Sequence, residues 1–239
     1  VEEDGYYASY LYGRQNLTRT QQSETLGESF CVLFGIADEE RAAKVISSMP
    51  VGEFGPPIFS PQIVSQPDYH NNGVWPYVTS FWGKAAAKVG NETALMHALA
   101  CNVRTASIYA TNYENYSFNT GNPYTTQINS PNMLWGLSGF MGLFHRTFFG
   151  LEFTKEGLAL KPFVPTVLAG TRKLEAFPYR GMKLDITVSG SGNEIASCLV
   201  DGKEADAFIP ADWTGKHTVE IVMKGEHKPS SINMVGYIG

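Results

Sequence analysis

The sequence predicts an α+β protein built in two parts, a helical-hairpin region over residues 1 to 156 and an antiparallel β-sandwich over residues 157 to 239. Three observations predict it. Apolar residues recur at three and four positions through the first 150 residues, the period of an amphipathic helix. After Gly150 they alternate, as in Met182, Leu184, Ile186 and Val188, the period of a strand with one buried face. The helical segments precede the strands instead of alternating with them, and segregated runs of this kind give α+β architectures.

The elements follow in order. Residues 23 to 36, SETLGESFCVLFGI, place Leu26, Phe30, Leu33 and Phe34 on one helical face. Asp38 reads as the N-cap of a second helix over roughly 39 to 48, which Pro50 ends, so the two make a hairpin. Residues 51 to 73 are rich in Pro and Gly and predict an irregular loop of a length that usually serves function. A second hairpin follows, with a helix from Val74 to Val89 that holds Pro76 in its first turn, and a helix capped by Asn91 that carries Leu95, Leu99, Val103, Ala106 and Ala110. A polar loop at 111 to 131 leads to a helix over 132 to 149 that is apolar almost all round, which predicts burial inside a multi-helix assembly. In the β part, Ser189 to Gly192 predicts a turn between the 182 to 188 strand and Ile195 to Val200. Asp201-Gly202 is a strong hairpin signal, and Thr218 to Met223 is a further strand.

Composition excludes several classes. With 43% hydrophobic and 13% aromatic residues the chain must fold around a core. A net charge of -5 with scattered basic residues argues against a nucleic-acid partner. The longest apolar stretch, Met133 to Phe144, is about half of what a bilayer span needs, so no membrane span is expected. Cys31, Cys101 and Cys198 are too far apart for a disulfide framework and read as buried thiols. HExxH, P-loop and GxSxG patterns are absent, and His70, His97, His145, His217 and His227 lack metal-ligand spacing, so neither a metal nor a cofactor is expected. A pI near 5.6 and unpaired Cys suit a bacterial periplasm or a cytosol equally.

The chemistry-bearing residues gather in three segments. In YATNYENYSFNTG, residues 109 to 121, a single carboxylate, Glu114, lies between Tyr113 and Tyr116 with no basic neighbour, a setting in which a carboxylate can deprotonate a water beside a sugar ring. In YHNNGVWPY, residues 69 to 77, Tyr69, His70 and Trp75 could stack on sugar rings and bond their hydroxyls; equally, His70 and the asparagines could cap the helix while Trp75 packs in the core. In SPNMLWGLSG, Trp135 opens the apolar helix. The many Tyr and Asn with few charges suit a neutral, hydroxyl-rich ligand.

Taken together these segments resemble the C-terminal half of the six-hairpin, (α/α)6-toroid glycosidases, a group that includes α-glucosidases of family 63, trehalases of family 37, rhamnosidases of family 78 and debranching-enzyme-like relatives. The resemblance rests on the WP element in Val74 to Tyr77, the E-x-Y-x-x-x-x-G loop of Glu114, Tyr116 and Gly121, a partial match at Met133-Leu134-Trp135, and the closing FFGLEFTKEGLALKPFVP run at 148 to 165. It implies a partial toroid of five or six helices followed by the β domain, and an inverting hydrolase of α-linked glucose- or mannose-type sugars with Glu114 as general base. The resemblance places the general acid in an N-terminal half whose motif is not found here. The chain is therefore expected to be a portion of a larger glycosidase, completed by that half or by a homodimer partner. A carbohydrate-binding or structural module is the competing class. A sugar phosphorylase fits less well, since Arg104 is the only basic residue within a dozen positions of Glu114.

Overall fold

The structure, a computed structural model, describes residues 5–225 and 230–236; the opening residues 1–4 and His227 lie outside them. The chain divides into two compact units, 5–142 with 230–236, and 143–225.

The first unit holds five α-helices among the described residues: α1 (Thr25–Leu33), α2 (Glu39–Ser48), α3 (Pro76–Lys88), α4 (Glu92–Tyr109) and α5 (Leu134–Leu143). Their starts follow from local chemistry. Glu24 caps α1 by accepting from the amides of Leu26 and Gly27, Asp38 caps α2 through Arg41, and Asn91 caps α4 through Ala94. Pro76 stands at the first position of α3, where a missing N–H costs nothing. Helix α1 packs on α2 and α3, and α3 on α4. Val45, Ile46, Val78, Trp82, Ala86, Leu95 and Ala98 are buried at these helices. Short strands join the connections: β1 (Leu11–Tyr12) with β2 (Thr18–Arg19), β3 (Ser23–Glu24) with β5 (Phe59–Ser60), and β6 (Gly73–Val74) with β7 (Tyr116–Ser117). Strand β4 (Pro50–Val51) pairs in parallel with a C-terminal strand, Asn233–Met234. The loop expected over 51 to 73 thus carries three ladder contacts.

In α1, Glu28 is 3% exposed. Its Oε1 accepts from the Tyr7 amide at 2.7 Å, while Oε2 has no hydrogen-bond partner among the described residues. Burial pushes this carboxyl up to about 7, against the weaker opposing effect of the Tyr7 amide.

Two sequence expectations are corrected in this unit. The helices do not form part of an (α/α)6 toroid, in which each helix would bury itself between ring neighbours. Helix α5 is not buried inside an assembly either. Its contact strip is made of glycines: a Cβ at Gly136 would lie 3.6 Å from Pro76, at Gly139 3.2 Å from Tyr77, and at Gly142 3.0 Å from Nζ of Lys84. Trp135 packs beside this strip and Leu143 is buried, but Leu134, Leu137 and Met141 are exposed, Leu134 at 77%. Apolarity all round concealed which face makes the contact.

The second unit opens with a π-helical turn, Phe144–Phe148, that continues from α5. Strands β8 (Leu151–Phe153), β9 (Gly157–Leu160) and β14 (Phe208–Pro210) form a three-stranded antiparallel sheet in the order β14-β9-β8. Strands β10 (Gly170–Tyr179), β11 (Met182–Gly190), β12 (Glu194–Val200), β13 (Lys203–Glu204) and β15 (Gly215–Lys224) form a five-stranded sheet in the order β10-β11-β15-β12-β13. Leu151, Leu158 and Ile209 share one apolar core with Leu184, Ile186, Val219 and Ile221. The antiparallel β-sandwich is corrected here: β15 runs parallel to β11 from Met182↔Gly215 to Ser189↔Val222, and antiparallel to β12. The reason is geometric, because β15 is inserted between two strands of opposite direction and must run parallel to one of them. Gly190 and Gly192 make the insertion possible, since a Cβ at either would lie 2.6 or 2.0 Å from the carbonyl oxygens of Met223 and Lys224.

Candidate functional site

The site is assembled by the β6–β7 pair, in which Gly73 is the register partner of Ser117 and Val74 of Tyr116. The amide of Phe118 extends the pairing by donating to the Asn72 carbonyl at 2.9 Å, and the amide of Ile58 donates to that of Gly73 at 2.8 Å. The turn before β6 is closed tightly, with Trp75 Nε1 donating to the Tyr69 carbonyl at 3.0 Å. Asn71 is buried and spends its side chain on the backbone of Ile63 and Gln66, so it organises this turn and does not cap α3. The amide of Gln127 donates to the Asp68 carbonyl, tying the 111–131 loop to the same turn.

On that frame Glu114 is half-buried. Its amide donates to Ser130 at 2.9 Å, and its Oε1 receives a long 3.5 Å hydrogen bond from the Tyr69 hydroxyl. Among the described residues no lysine or arginine forms an ion pair with it. Two aromatic clusters adjoin this residue, one that its carboxylate meets through Tyr69 and one that contains its chain neighbour Tyr113. On the Tyr69 side the ring of Tyr69 lies 4.5 Å from His70 and 5.2 Å from Trp75, and Trp75 meets Trp135 edge to face at 5.3 Å. Trp135 also stacks on Tyr77 at 5.0 Å. On the Tyr113 side, Tyr109 stacks on Tyr116 at 5.7 Å, and Tyr113 meets Tyr124 edge to face at 5.7 Å with 3.2 Å between their hydroxyls.

All seven residues proposed from the sequence, Tyr69, His70, Trp75, Tyr113, Glu114, Tyr116 and Trp135, thus fall in one connected region. They differ in access. Tyr116 is 0% and Trp75 4% exposed, so their rings support the loops, whereas His70 and Trp135 are exposed and Tyr69 and Tyr113 half-exposed. The Tyr116 hydroxyl accepts from the amide of Tyr113 at 3.2 Å, which fixes the residue beside Glu114. Tyr77, Tyr109 and Tyr124 were not singled out as site residues. The clustering of tyrosine from 109 to 124 signalled the last two, but only the turn at 122 to 125 brings Tyr124 back onto Tyr113.

The electrostatics are those of neutral hydroxyls. Tyr69 is held above its ordinary value by loss of solvent and then by the Glu114 charge. Tyr113 is raised chiefly because it donates to Tyr124, and Tyr109 and Tyr116 chiefly by burial. All four keep their protons near neutral pH and can both donate to and accept from a ligand hydroxyl. Among the described residues, no group of His, Cys, Asp or Glu could hold a metal ion, and no helix is long and apolar enough to cross a membrane. No protein-family model matches the chain, and no curated protein matches it in sequence.

Proposed function

We propose that the chain is a portion of a glycoside hydrolase that cleaves α-linked glucose- or mannose-type sugars with inversion, Glu114 acting as general base. The observation that carries this reading is the position of Glu114, a half-buried carboxylate that forms no ion pair among the described residues, is hydrogen-bonded to Tyr69 of one aromatic cluster and follows Tyr113 of another in the chain. Rings of this kind stack on the apolar faces of sugars, and unionised hydroxyls pair with theirs. The resemblance to six-hairpin glycosidases in the Glu114-x-Tyr116 and Val74-Trp75-Pro76 elements supports the same assignment.

In this reaction Glu114 takes a proton from a water, whose oxygen attacks the anomeric carbon from the face opposite the leaving group. The glycosidic oxygen leaves with a proton from a second carboxyl, and the two carboxyls stand about 6.5–9.5 Å apart to admit the water. The acid in this reading is the one that the resemblance places in an N-terminal half. The position of Glu114 beside Tyr69 also fits a second reading, a carbohydrate-binding module of a larger glycosidase in which Glu114 only accepts sugar hydroxyls.

Glu114→Gln separates them. For a base, hydrolysis of an α-glycoside by the enzyme that carries this chain falls by roughly 10²–10⁴ while sugar binding persists, and azide restores part of the rate. Near wild-type turnover excludes Glu114 as the base. Glu24, the next carboxylate to test, is engaged as the cap of α1.

A further inference from the structure

We propose that Tyr124 is a sugar-stacking platform that holds a second sugar unit on the Tyr113 side of Glu114, so that the site takes oligosaccharides and not single sugars. The proposal rests on the reading of Glu114 as the centre of a glycan site. Tyr124 is 72% exposed, yet its position is over-determined. Its hydroxyl is 3.2 Å from that of Tyr113, its amide donates to Asn122 Oδ1 at 2.8 Å, and its ring meets Tyr109 and Tyr113 edge to face at 6.0 and 5.7 Å.

The loop that carries it is stitched by one side chain. Asn129 Nδ2 donates to the carbonyls of Asn115 and Pro123, each at 2.8 Å, and to Thr126 Oγ1 at 3.1 Å. A large ring held in water gains little from burial, so the bonds that order it do not serve the core. Their effect is to present an aromatic surface that loses little freedom when a ligand stacks on it, which is how rigid Tyr residues bind in recognition loops. Tyr113 precedes Glu114 in the chain, and this adjacency keeps the platform within reach of an oligosaccharide that has one unit at the carboxylate. A sugar fits this surface better than a charged ligand, because among the described residues no Lys or Arg lies over the rings of Tyr109, Tyr113 or Tyr124.

The test is calorimetric or NMR titration of the full chain with glucose, maltotetraose and an α-linked mannotetraose, for the wild type, Tyr124→Ala and Tyr124→Phe. The expected result is that a tetrasaccharide binds the wild type more tightly than glucose does. Tyr124→Ala weakens the tetrasaccharide roughly 3- to 10-fold, the worth of one aromatic contact, and leaves glucose unchanged. Tyr124→Phe keeps most of the wild-type affinity. Equal tetrasaccharide binding by wild type and Tyr124→Ala overturns the platform and leaves the Glu114 reading standing. A Phe variant as weak as the Ala variant also overturns stacking, since the hydroxyl would then carry the effect. Absence of any sugar binding by the wild type overturns the glycan reading itself. At 72% exposure the Ala variant is expected to unfold at the wild-type temperature, which circular dichroism checks.

Discussion

Val74 of β6 pairs through its backbone with Tyr116 of β7, and that pairing joins the segment holding Tyr69 and Trp75 to the segment holding Glu114. Two loops far apart in sequence become one surface because a strand of two residues from each finds the other. Gly73 is the tightest point of the arrangement, since a Cβ there would lie 1.9 Å from the Tyr69 carbonyl oxygen. Gly73→Ala is expected to force the 69–73 turn open and destabilise the protein by about 1–3 kcal/mol, as overpacking does. Thermal unfolding measures the loss, and a Trp75 indole NH signal shifted from its hydrogen-bonded position would locate it at the turn.

The parts of the fold legible in the sequence were those encoded locally. Asp38, Asn91 and Pro76 mark helix starts because capping and a fixed φ act within one turn, and Asp201-Gly202 turns β12 into β13 because both residues take positive φ, 51° and 74°. Partner choice was not encoded locally. Alternation in Met182 to Val188 says which side chains are buried and nothing about whether β15 or β12 lies alongside. The same limit applied to the site. The residues around Glu114 were visible as a composition of Tyr and Asn, whereas burial of Trp75 and Tyr116, and the return of Tyr124 onto Tyr113, depend on the β6–β7 pair and the Asn129 bonds.

Glu28 makes stability depend on pH. Its folded-state value of about 7 lies above its ordinary value of 4.5, so the native protein holds a proton that the unfolded chain releases between those two values. Its contribution is fully present below pH 4.5, is lost as pH rises toward 7, and does not change further above that. At 1.36 kcal/mol per unit the loss is at most about 3 kcal/mol. Urea unfolding of the wild type from pH 4.5 to 8 is expected to show this decline, and Glu28→Gln to remove it; equal slopes in the two proteins would mean that the carboxyl is ionised in the native state.

In the pair of His217 and Asp201 the histidine depends on pH with the same sign as Glu28, and the aspartate with the opposite sign. The His217 Nδ1 lies 2.7 Å from Asp201 Oδ2 and its Nε2 3.1 Å from the Thr214 carbonyl, so both ring nitrogens face acceptors. This favours the imidazolium, and the Asp201 hydrogen bond holds His217 above its ordinary value while His217 holds Asp201 below its own. The His217 contribution is present below about pH 6.5 and lost as pH rises through its raised value; that of Asp201 is present above about pH 4 and lost as pH falls. His217→Gln is therefore expected to cost more stability at pH 5.5 than at pH 9. A histidine proton resonance from His217 titrating at or below the ordinary value would contradict the pairing.

The contact between Tyr69 and Glu114 can be tested without any sugar. Two effects hold the Tyr69 hydroxyl above its ordinary value of 10, first the loss of solvent around it and second the negative charge and acceptor oxygen of Glu114. Glu114→Gln removes the charge and leaves the loss of solvent, so Tyr69 in that variant is expected to ionise at a lower pH than in the wild type while remaining above the value of a free tyrosine. The carbon-13 resonance of the Tyr69 Cζ reports the proton directly, with Tyr69→Phe identifying the signal among the 12 tyrosines. Tyr113 provides the control, because its proton is retained chiefly through Tyr124 and its titration should respond much less. A Tyr69 midpoint unaffected by Glu114→Gln would separate the carboxylate from the ring cluster and remove the geometric basis for treating them as one site.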